Sequence, residues 1–250
     1  MSIHIPSPTC NTLVVVPTYN ECKNISLLLT AIFELQAEVH VLVVDDTSPD
    51  GTANQVIQLQ ETYPHALHLL TRPTKEGIGK AYIAGFRWGL AYGYEYICSM
   101  DADFSHAPAD LLTLVATCRT HEADLAIGSR YVLGSQVMNW SYSRSILSHV
   151  ANGVARLLSG LSIRDSTAGF ACYRRTLLER FLWQEIVSTG YSFQVEMKYL
   201  SHKMGAKIVE VPIVFSNRVR GNSKMNLHRI LESFVALCQI GWRNRFVRGR

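Results

Sequence analysis

The sequence predicts an α/β protein built on a mostly parallel β-sheet with helices on both faces. Short runs of Val, Leu and Ile alternate, through the first half of the chain, with segments whose apolar residues recur at helical spacing. Continuous apolar strands are typical of parallel sheets that helices cover on both sides. The 250 residues, 48% of them hydrophobic, supply one sizeable core and exclude a disordered chain.

Five strands and four helices are predicted in order along the first half. The strands cover residues 13–16, 39–44, 66–70, 96–100 and 125–127. The helices cover residues 24–35, 52–62, 80–92 and 108–119. Open parallel sheets bind ligands at the carboxyl ends of their strands. The polar residues that follow each strand are therefore the candidates for a functional site.

The pattern changes after Arg130. Residues 140–160 have helical spacing but are unusually apolar for a surface helix, and residues 208–215 predict one more strand. Residues 226–246 predict a long helix with one apolar face, after which the chain ends in an arginine-rich run. We expect one main domain over residues 1–225 and a basic amphipathic helix over residues 226–250 that belongs to the same domain.

Composition excludes several other classes. The six cysteines are scattered, without a C-x-x-C pair or a Cys/His cluster, which predicts reduced thiols and no zinc site. The N-terminus has neither the basic run nor the apolar stretch of a signal peptide. No run of about 18 apolar residues occurs, so we expect no helix that spans a membrane.

The net charge of +4 conceals an asymmetry between the two halves. Residues 1–110 contain 5 basic and 12 acidic side chains, whereas residues 111–250 contain 19 and 8. An acidic front half indicates a cation site and a basic back half indicates an anionic partner, with chance variation as the alternative. The basic half contains no recognisable nucleic-acid module, so we expect no nucleic-acid partner.

The segments after the strands exclude the two commonest nucleotide loops. No G-x-G-x-x-G follows the first strand, and Gly79-Lys80 lacks both the upstream glycine and the Ser or Thr of a phosphate-binding loop. Carboxylates stand there instead, and Asp101 and Asp103 directly follow the fourth strand. Alternate carboxylates at a strand end can face one hard cation, which could bridge them to a diphosphate.

Six motifs resemble those of the family 2 glycosyltransferases of GT-A fold. VVVPTYNE at 14–21, VVDD-x-SPDGT at 43–52 and MDADFSH at 100–106 carry the resemblance to the family. GSRY at 128–131, DSTAGF at 165–170 and G-x-SK at 221–224 narrow it to the dolichol-phosphate, or polyprenyl-phosphate, mannosyltransferase branch. The motifs occur in the expected order over residues 12–230.

The resemblance implies inverting transfer of mannose from GDP-mannose to a polyprenyl or dolichyl phosphate. It also implies Mg²⁺ or Mn²⁺ as the cofactor. By position, the residues around the nucleoside would be Pro17, Tyr19, Glu21, Asp45 and Asp46.

The resemblance also assigns the catalytic and phosphate-binding residues. Asp101 and Asp103 would serve the metal and the diphosphate, and Arg130 would contact a phosphate or the sugar. Ser105 stands where some family members carry Gln near the metal, which leaves its role as a metal ligand open. The basic pocket for the acceptor and donor phosphates would be formed by Arg144, Arg218 and Lys224.

Three further residues have two interpretations each. His106 is either a donor to the diphosphate or a structural histidine. Glu196 lies either near the acceptor or on a helix surface. Asp165 either approaches the sugar or positions a loop on the acceptor side.

A lipid acceptor implies contact with a membrane surface. The expected location is the cytoplasmic face of a bacterial inner membrane or of the endoplasmic reticulum, with acceptor-side helices at about 135–165 and the terminal helix in the interface. Membrane-anchor subunits are an alternative. Two other functions stay open: a family 2 transferase with UDP-glucose, another nucleotide sugar or a non-lipid acceptor, and a catalytically silent nucleotide-binding scaffold.

Overall fold

The computed structural model describes residues 10–140, 142–181 and 192–216, together with Trp183, Ile186, Ser188 and Gly190. The main sheet contains seven strands: β1 (Thr12–Thr18), β2 (His40–Asp45), β3 (Leu67–Thr71), β4 (Tyr96–Ser99), β5 (Leu125–Ser129), β7 (Ala171–Arg174) and β8 (Ile208–Pro212). A second sheet pairs β6 (Gln136–Val137) with β9 (Val214–Phe215). The helices are α1 (Ile25–Phe33), α2 (Thr52–Gln60), α3 (Ile78–Ala91), α4 (Asp110–Thr120), α5 (Tyr142–Ser159), α6 (Arg175–Leu178) and α7 (Ser192–Lys203).

The main sheet confirms the predicted mostly parallel α/β class. Its strand order is β3-β2-β1-β4-β7-β5-β8, and the neighbours are parallel except where β7 pairs with β4 and β5. Consecutive residues of β1 serve opposite faces, since Val15 packs with α3 and Val16 packs with α1 and α4. Both faces are thus covered, which explains why the strands are continuous apolar runs.

Two glycines let α3 approach the sheet closely. A Cβ on Gly85 would overlap Val15 Cγ1, and a Cβ on Gly89 would lie 2.7 Å from Ile97 Cδ1. The helix backbone therefore rests against the side chains of β1 and β4, and any larger residue at these positions would force it away.

The structure corrects the sequence prediction in the second half. The strand predicted at 208–215 is two strands, because the chain passes from the main sheet at Pro212 to the small sheet at Val214. The predicted elements did not include β6, β7 or α6, and the helix considered for Glu196 was given no bounds. The helix predicted at 140–160 is confirmed as α5, whereas the helix predicted at 226–246 lies outside the described residues.

The described cysteines Cys10, Cys22, Cys98, Cys118 and Cys172 are free thiols, as predicted. None of the helices in the described part of the chain has the length and apolarity needed to cross a bilayer.

Candidate active site

The carboxyl ends of β1, β2 and β3 lie at one level of the sheet, because Asp45 pairs in register with Thr18 on one side and Thr71 on the other. Asp45 is fully buried and accepts hydrogen bonds from Thr18 Oγ1 at 2.7 Å, Ser48 N at 2.8 Å and Ser48 Oγ at 2.6 Å. Its carboxylate shapes the loop after β2. A direct contact of Asp45 with a nucleoside stays a prediction.

The loops after β1, β2 and β4 each contain a residue in the left-handed region. These are Asn20 at φ 57°, Thr47 at φ 52° and Phe104 at φ 61°. Thr47 is the least expected, since β-branched residues seldom adopt positive φ. Its hydroxyl donates to the carbonyl of Arg72 at 2.5 Å, which helps to hold the turn. Asn20 tolerates this region, so the strain at these strand ends is that of Thr47 and Phe104.

Asp46 forms a buried ion pair with Arg72 at the end of β3. Arg72 Nη1 lies 3.1 Å from Asp46 Oδ1, without the alignment of a hydrogen bond, and Arg72 Nη2 donates to Glu76 Oε2 at 2.7 Å. Burial raises the pKa of Asp46, and the charge of Arg72 only partly offsets this effect. Nearby, Lys75 Nζ lies 3.5 Å from the centroid of the Tyr19 ring.

Glu21 is tied to the loop that starts α2. Its amide donates to Thr52 Oγ1 at 3.0 Å, and its Oε2 accepts from Asn24 Nδ2 at 2.9 Å. Asp50 accepts from the amide of Thr52, the first residue of α2, at 3.1 Å, and from Cys22 N at 3.0 Å. The acidic segments after β1 and β2 therefore form one hydrogen-bonded wall, at the strand end where Pro17 also lies.

Asp101 and Asp103 lie at the carboxyl end of β4. Tyr82 on α3 donates to Asp101 Oδ1 at 2.9 Å, and Asp103 Oδ1 accepts from the Ser105 amide at 3.1 Å. Ser105 thus contacts Asp103 through its backbone; whether its hydroxyl binds a metal stays a prediction. Within the described residues, no group of three His, Cys, Asp or Glu side chains is placed to hold a metal ion.

The two carboxylates nevertheless fit a hard divalent cation. Both present oxygen ligands, and Asp103 is 8% exposed. A hydrogen bond fixes one oxygen of each, from Tyr82 on α3 for Asp101 and from the Ser105 amide of the same loop for Asp103. A Mg²⁺-type site commonly uses one or two carboxylates and completes its shell with water and substrate phosphates.

Arg130, directly after β5, forms a bidentate pair with Asp165. Arg130 Nε and Nη2 donate to the two Asp165 oxygens at 2.8 and 2.7 Å, and the Arg130 amide donates to Oδ2 at 2.9 Å. Burial alone would raise the pKa of Asp165, but the bonds and charge of Arg130 outweigh it and hold that pKa below its usual value. Both groups are therefore charged, and Arg130 is held rigidly beside Thr167, whose Oγ1 accepts from Nη2 at 2.7 Å.

The antiparallel strand β7 brings the DSTAGF motif to this edge of the sheet. Ala171 pairs with Ser99 of β4 and Ile127 of β5, so residues 165–170 enter the sheet where β4 and β5 end. We call residues 164–170 the acceptor loop, after the role that the resemblance implies for this motif. A Cβ on Gly169 would lie 3.4 Å from Asp101 Oδ2, so this loop directly adjoins the D-x-D pair.

Polar side chains hold the acceptor loop from three other elements, and two of them, Asn152 and Lys198, are buried. Glu210 on β8 accepts from the amides of Arg164 and Asp165, both at 2.8 Å. Asn152 on α5 accepts from the amide and hydroxyl of Ser166 and donates to the Arg164 carbonyl. Lys198 on α7 is fully buried and donates to the Ala168 carbonyl at 2.6 Å. Burial lowers the pKa of Lys198 to about 7, although the charge of Asp165 opposes the shift.

Helix α7 lies inside the molecule, and Glu196 is fully buried. The interpretation of Glu196 as a surface carboxylate was wrong, because Glu196 Oε2 accepts from the Ser188 amide at 2.9 Å. Gln194, 6% exposed, lies on the same helix, and its Oε1 has no hydrogen-bond partner among the described residues. His106 is buried against Phe170, with ring centroids 4.8 Å apart, which agrees with a structural histidine.

The structure describes only some of the basic residues that are predicted to bind phosphate. Trp140 brings two of them together, since its ring centroid lies 5.8 Å from the Arg130 guanidinium and 4.8 Å from that of Arg144. Arg218 and Lys224 lie outside the described residues, so their place in a basic pocket stays a prediction.

The predicted site residues did not include Arg72, Tyr82, Gln194 and Lys198. Arg72 could have been predicted, because it directly follows β3 and residues at the carboxyl ends of parallel strands are candidates for ligand binding. Tyr82, Gln194 and Lys198 lie on helices, where sequence spacing alone does not distinguish a buried polar side chain from a solvated one.

The open α/β sheet with the D-x-D pair at its strand ends agrees with the GT-A fold that the sequence motifs imply. Residues 13–182 match the model of Glycosyl transferase family 2, and the chain belongs to this family. It is 44% identical to polyprenol monophosphomannose synthase of Mycolicibacterium smegmatis over 97% of this chain and 91% of that protein. It is 43% identical to undecaprenyl-phosphate mannosyltransferase of Micrococcus luteus over 92% of this chain and 93% of that protein.

Solved structures share the GT-A fold. Glucosyl-3-phosphoglycerate synthase from Mycobacterium tuberculosis, in complex with Mn²⁺, UDP and glucosyl-3-phosphoglycerate, superposes with a TM-score of 0.66 at 17% identity, over 94% of this chain and 81% of that chain. A mannosyltransferase from Pyrobaculum calidifontis, in complex with GDP-Man and Mn²⁺, gives 0.59 at 22% identity, over 94% and 66%.

Proposed function

We propose that this chain transfers mannose from GDP-mannose to a polyprenyl phosphate, with inversion at the anomeric carbon. The observation that carries the proposal is the 44% identity, over 97% of the chain, to a polyprenol monophosphomannose synthase. An oxygen of the acceptor phosphate forms a bond to the anomeric carbon, and the bond from that carbon to the diphosphate oxygen breaks. The electron pair of the broken bond leaves with GDP.

The reaction needs no general base, because a phosphate monoester has a second pKa of about 6 and is already ionised near neutral pH. The chain must instead align two anions that repel each other. A divalent cation held by Asp101 and Asp103, either Mg²⁺ or Mn²⁺, would neutralise the departing diphosphate. The bidentate bonds to Asp165 fix the guanidinium of Arg130 beside this site, where it meets a phosphate or the sugar.

The nucleoside would lie against the wall formed after β1 and β2. Asp46 Oδ1 is ion-paired with Arg72 but accepts no hydrogen bond in the described structure, so we expect it to accept from a donor of the nucleoside. Pro17, Tyr19, Glu21 and Asp45 complete this wall.

The lipid acceptor places the protein at a membrane surface. Helix α5 presents exposed apolar side chains on successive turns, which suits the interface of a bilayer. They include Tyr142, Ile146, Val150 and Leu157. The main domain over residues 1–225, the terminal helix over 226–250, the cytoplasmic face and any anchor subunits are part of the same proposal.

A donor screen tests the proposed reaction. Purified protein is given GDP-mannose, UDP-glucose or UDP-GlcNAc with a polyprenyl phosphate in detergent and Mg²⁺ or Mn²⁺, and labelled lipid product is measured. We expect transfer from GDP-mannose and a loss of about 100-fold or more in Asp103→Ala. Glu34→Ala, which removes an exposed carboxylate after α1, is the matched control. Efficient transfer from a UDP-sugar alone would replace GDP-mannose as the donor, and no transfer in any mixture would favour a silent scaffold.

A further inference from the structure

The fully buried lysine of α7, Lys198, departs from the rule that charged side chains face water. Among the described residues, no carboxylate lies within ion-pair distance of its amine. Burial of an amine costs free energy unless the amine is hydrogen-bonded. A methionine would fill a similar volume without this cost, so the formation of a core alone does not explain a lysine at this position.

The amine of Lys198 bonds to two carbonyls from different parts of the chain. Lys198 Nζ donates to the Ala168 carbonyl of the acceptor loop at 2.6 Å. It also donates to the Gln194 carbonyl, in the first turn of its own helix, at 3.2 Å. Lysine has several hydrogens to donate on one nitrogen, which suits two carbonyls at once. The side chain therefore ties the acceptor loop to the start of α7.

Helix α7 is itself held by contacts outside the acceptor loop. The Phe193 ring stacks on Tyr82 of α3, with centroids 6.0 Å apart and planes within 4° of each other. Glu196 Oε2 accepts from the Ser188 amide at 2.9 Å. Helix α7 is thus a fixed support, and Lys198 extends this support to the loop.

The other side chains that bind the acceptor loop do so nearer its start. Asn152 and Glu210 bind backbone groups of residues 164–166, and Arg130 donates to the Thr167 hydroxyl. Lys198 binds the next residue along the loop, at position 168. It therefore acts on the part of the loop that leads into the sheet.

The residue that follows Ala168 adjoins the D-x-D pair. A Cβ on Gly169 would lie 3.4 Å from Asp101 Oδ2 and 3.7 Å from Gln194 Nε2. Only the width of a methyl group separates the loop backbone from the Asp101 carboxylate. A small displacement of the Ala168 carbonyl would therefore change the space beside Asp101.

We propose that Lys198 is a positioning residue for the transfer reaction: by holding the Ala168 carbonyl, it sets Gly169 against Asp101 and fixes the space where the diphosphate and the acceptor phosphate meet. Because Lys198 is fully buried, it acts through the acceptor loop rather than on a substrate. The inference rests on the proposed function, since it assigns Lys198 a part in that transfer. The alternative is a purely structural role, in which Lys198 only stabilises α7.

Steady-state kinetics in detergent distinguishes the two roles. Lys198→Met is compared with Ser201→Ala, a control that removes a buried hydroxyl whose bond to the Met197 carbonyl stays within α7. With the donor that the screen identifies, we expect Lys198→Met to lose about 10- to 100-fold in kcat, because a misplacement of about 1 Å can cost about 100-fold. Its affinity for GDP should equal that of the wild type, since the nucleoside wall lies on other elements. Unchanged kcat, or a kcat that falls in both variants in proportion to their free energy of unfolding, would overturn the proposal.

Methyl NMR tests the link itself without reference to catalysis. In protein with labelled alanine methyl groups, the order parameter of Ala168 should fall in Lys198→Met, whereas that of Ala81, equally buried on α3, should not change. An Ala168 methyl group as rigid as in the wild type would overturn the proposal. If the wild type transfers no sugar, the proposed function fails while this measurement still decides whether Lys198 holds the loop. Lys198→Gln, whose shorter side chain cannot reach both carbonyls, should show the same two changes and replaces Lys198→Met if that variant does not fold.

Discussion

The pair between Arg130 and Asp165 gives the sharpest test of how the site is held. Asp165 is fully buried, and the Arg130 side chain is 11% exposed. Asp165→Asn keeps an oxygen for the Arg130 amide but removes the negative charge, which leaves a buried guanidinium without a counter-ion. Loss of one partner of a buried pair costs about 3–5 kcal/mol. Because Arg130 retains some solvent contact, we expect the free energy of unfolding to fall by about 3 kcal/mol.

A double-mutant cycle separates the ion pair from packing. Arg130→Met leaves the Asp165 charge buried and should cost about as much as Asp165→Asn or more. The double variant Arg130→Met/Asp165→Asn leaves no buried charge without a partner. Its loss of free energy of unfolding should therefore be smaller than the sum of the two single losses by about 2 kcal/mol. Urea unfolding at neutral pH measures all four proteins. Additive losses would refute the view that the pair acts as a charge-compensated unit.

The pH dependence of unfolding provides a second check on the same pair. The folded pKa of Asp165 lies below its unfolded value of about 3.9. Its contribution is therefore present above the unfolded pKa and is lost as the pH falls through the folded pKa. In Asp165→Asn this part of the acid destabilisation should be missing. An acid transition identical to that of the wild type would contradict the assignment.

Three other predictions follow from the same structure. Lys198 has a folded pKa of about 7, below its unfolded value of about 10.4, so wild-type stability should rise with pH between these values. In Lys198→Met, urea unfolding should show a weaker dependence of the free energy of unfolding on pH. The same dependence in both proteins would argue against a buried amine. Gly85→Ala should lower the free energy of unfolding by about 1–3 kcal/mol, because the new methyl group would overlap β1. Gly153→Ala is the control on α5: its methyl group would have nothing within 4 Å, so the free energy of unfolding should rise by up to about 1 kcal/mol. Similar effects of the two changes would refute the packing argument. Arg72→Gln removes the positive charge that lowers the pKa of Asp46, so this pKa should rise further. In calorimetric titrations, the loss of GDP affinity on acidification should then begin at higher pH than in the wild type. A pH profile that matches the wild type would exclude Asp46 from the nucleotide site.

The first half of the fold was predictable from the sequence because its signals are local. Strands β1 to β5 and helices α1 to α4 occur where apolar runs and helical spacing indicated them. Their connections are short, and the order of elements in a parallel sheet follows from the alternation itself. Asp101 and Asp103 were found by the same logic, since residues after a buried strand lie at its carboxyl end.

Strand β7 was not predictable in this way. Its four residues are too few to show a pattern, and its place between β4 and β5 depends on pairing with residues more than 40 positions earlier in the chain. The interior position of α7 was hidden for another reason. Glu196 and Lys198 are typical of a solvated helix face, and only their partners, the Ser188 amide and the Ala168 carbonyl, make burial tolerable.

The position of β7 also constrains the order in which the sheet can form during synthesis. Strands β1 to β4 are complete once residue 99 has emerged, and they can pair among themselves as a parallel half-sheet. Strand β5 is synthesised next, but it joins the sheet only through β7, which lies between β4 and β5 and is synthesised more than 40 residues later. Until then β4 is an unpaired edge, which favours association with other chains. Strand β7 joins the two parts of the sheet before β8 is added at the edge, and it directly follows the acceptor loop, so the joining of the sheet and the placement of this loop are a single event.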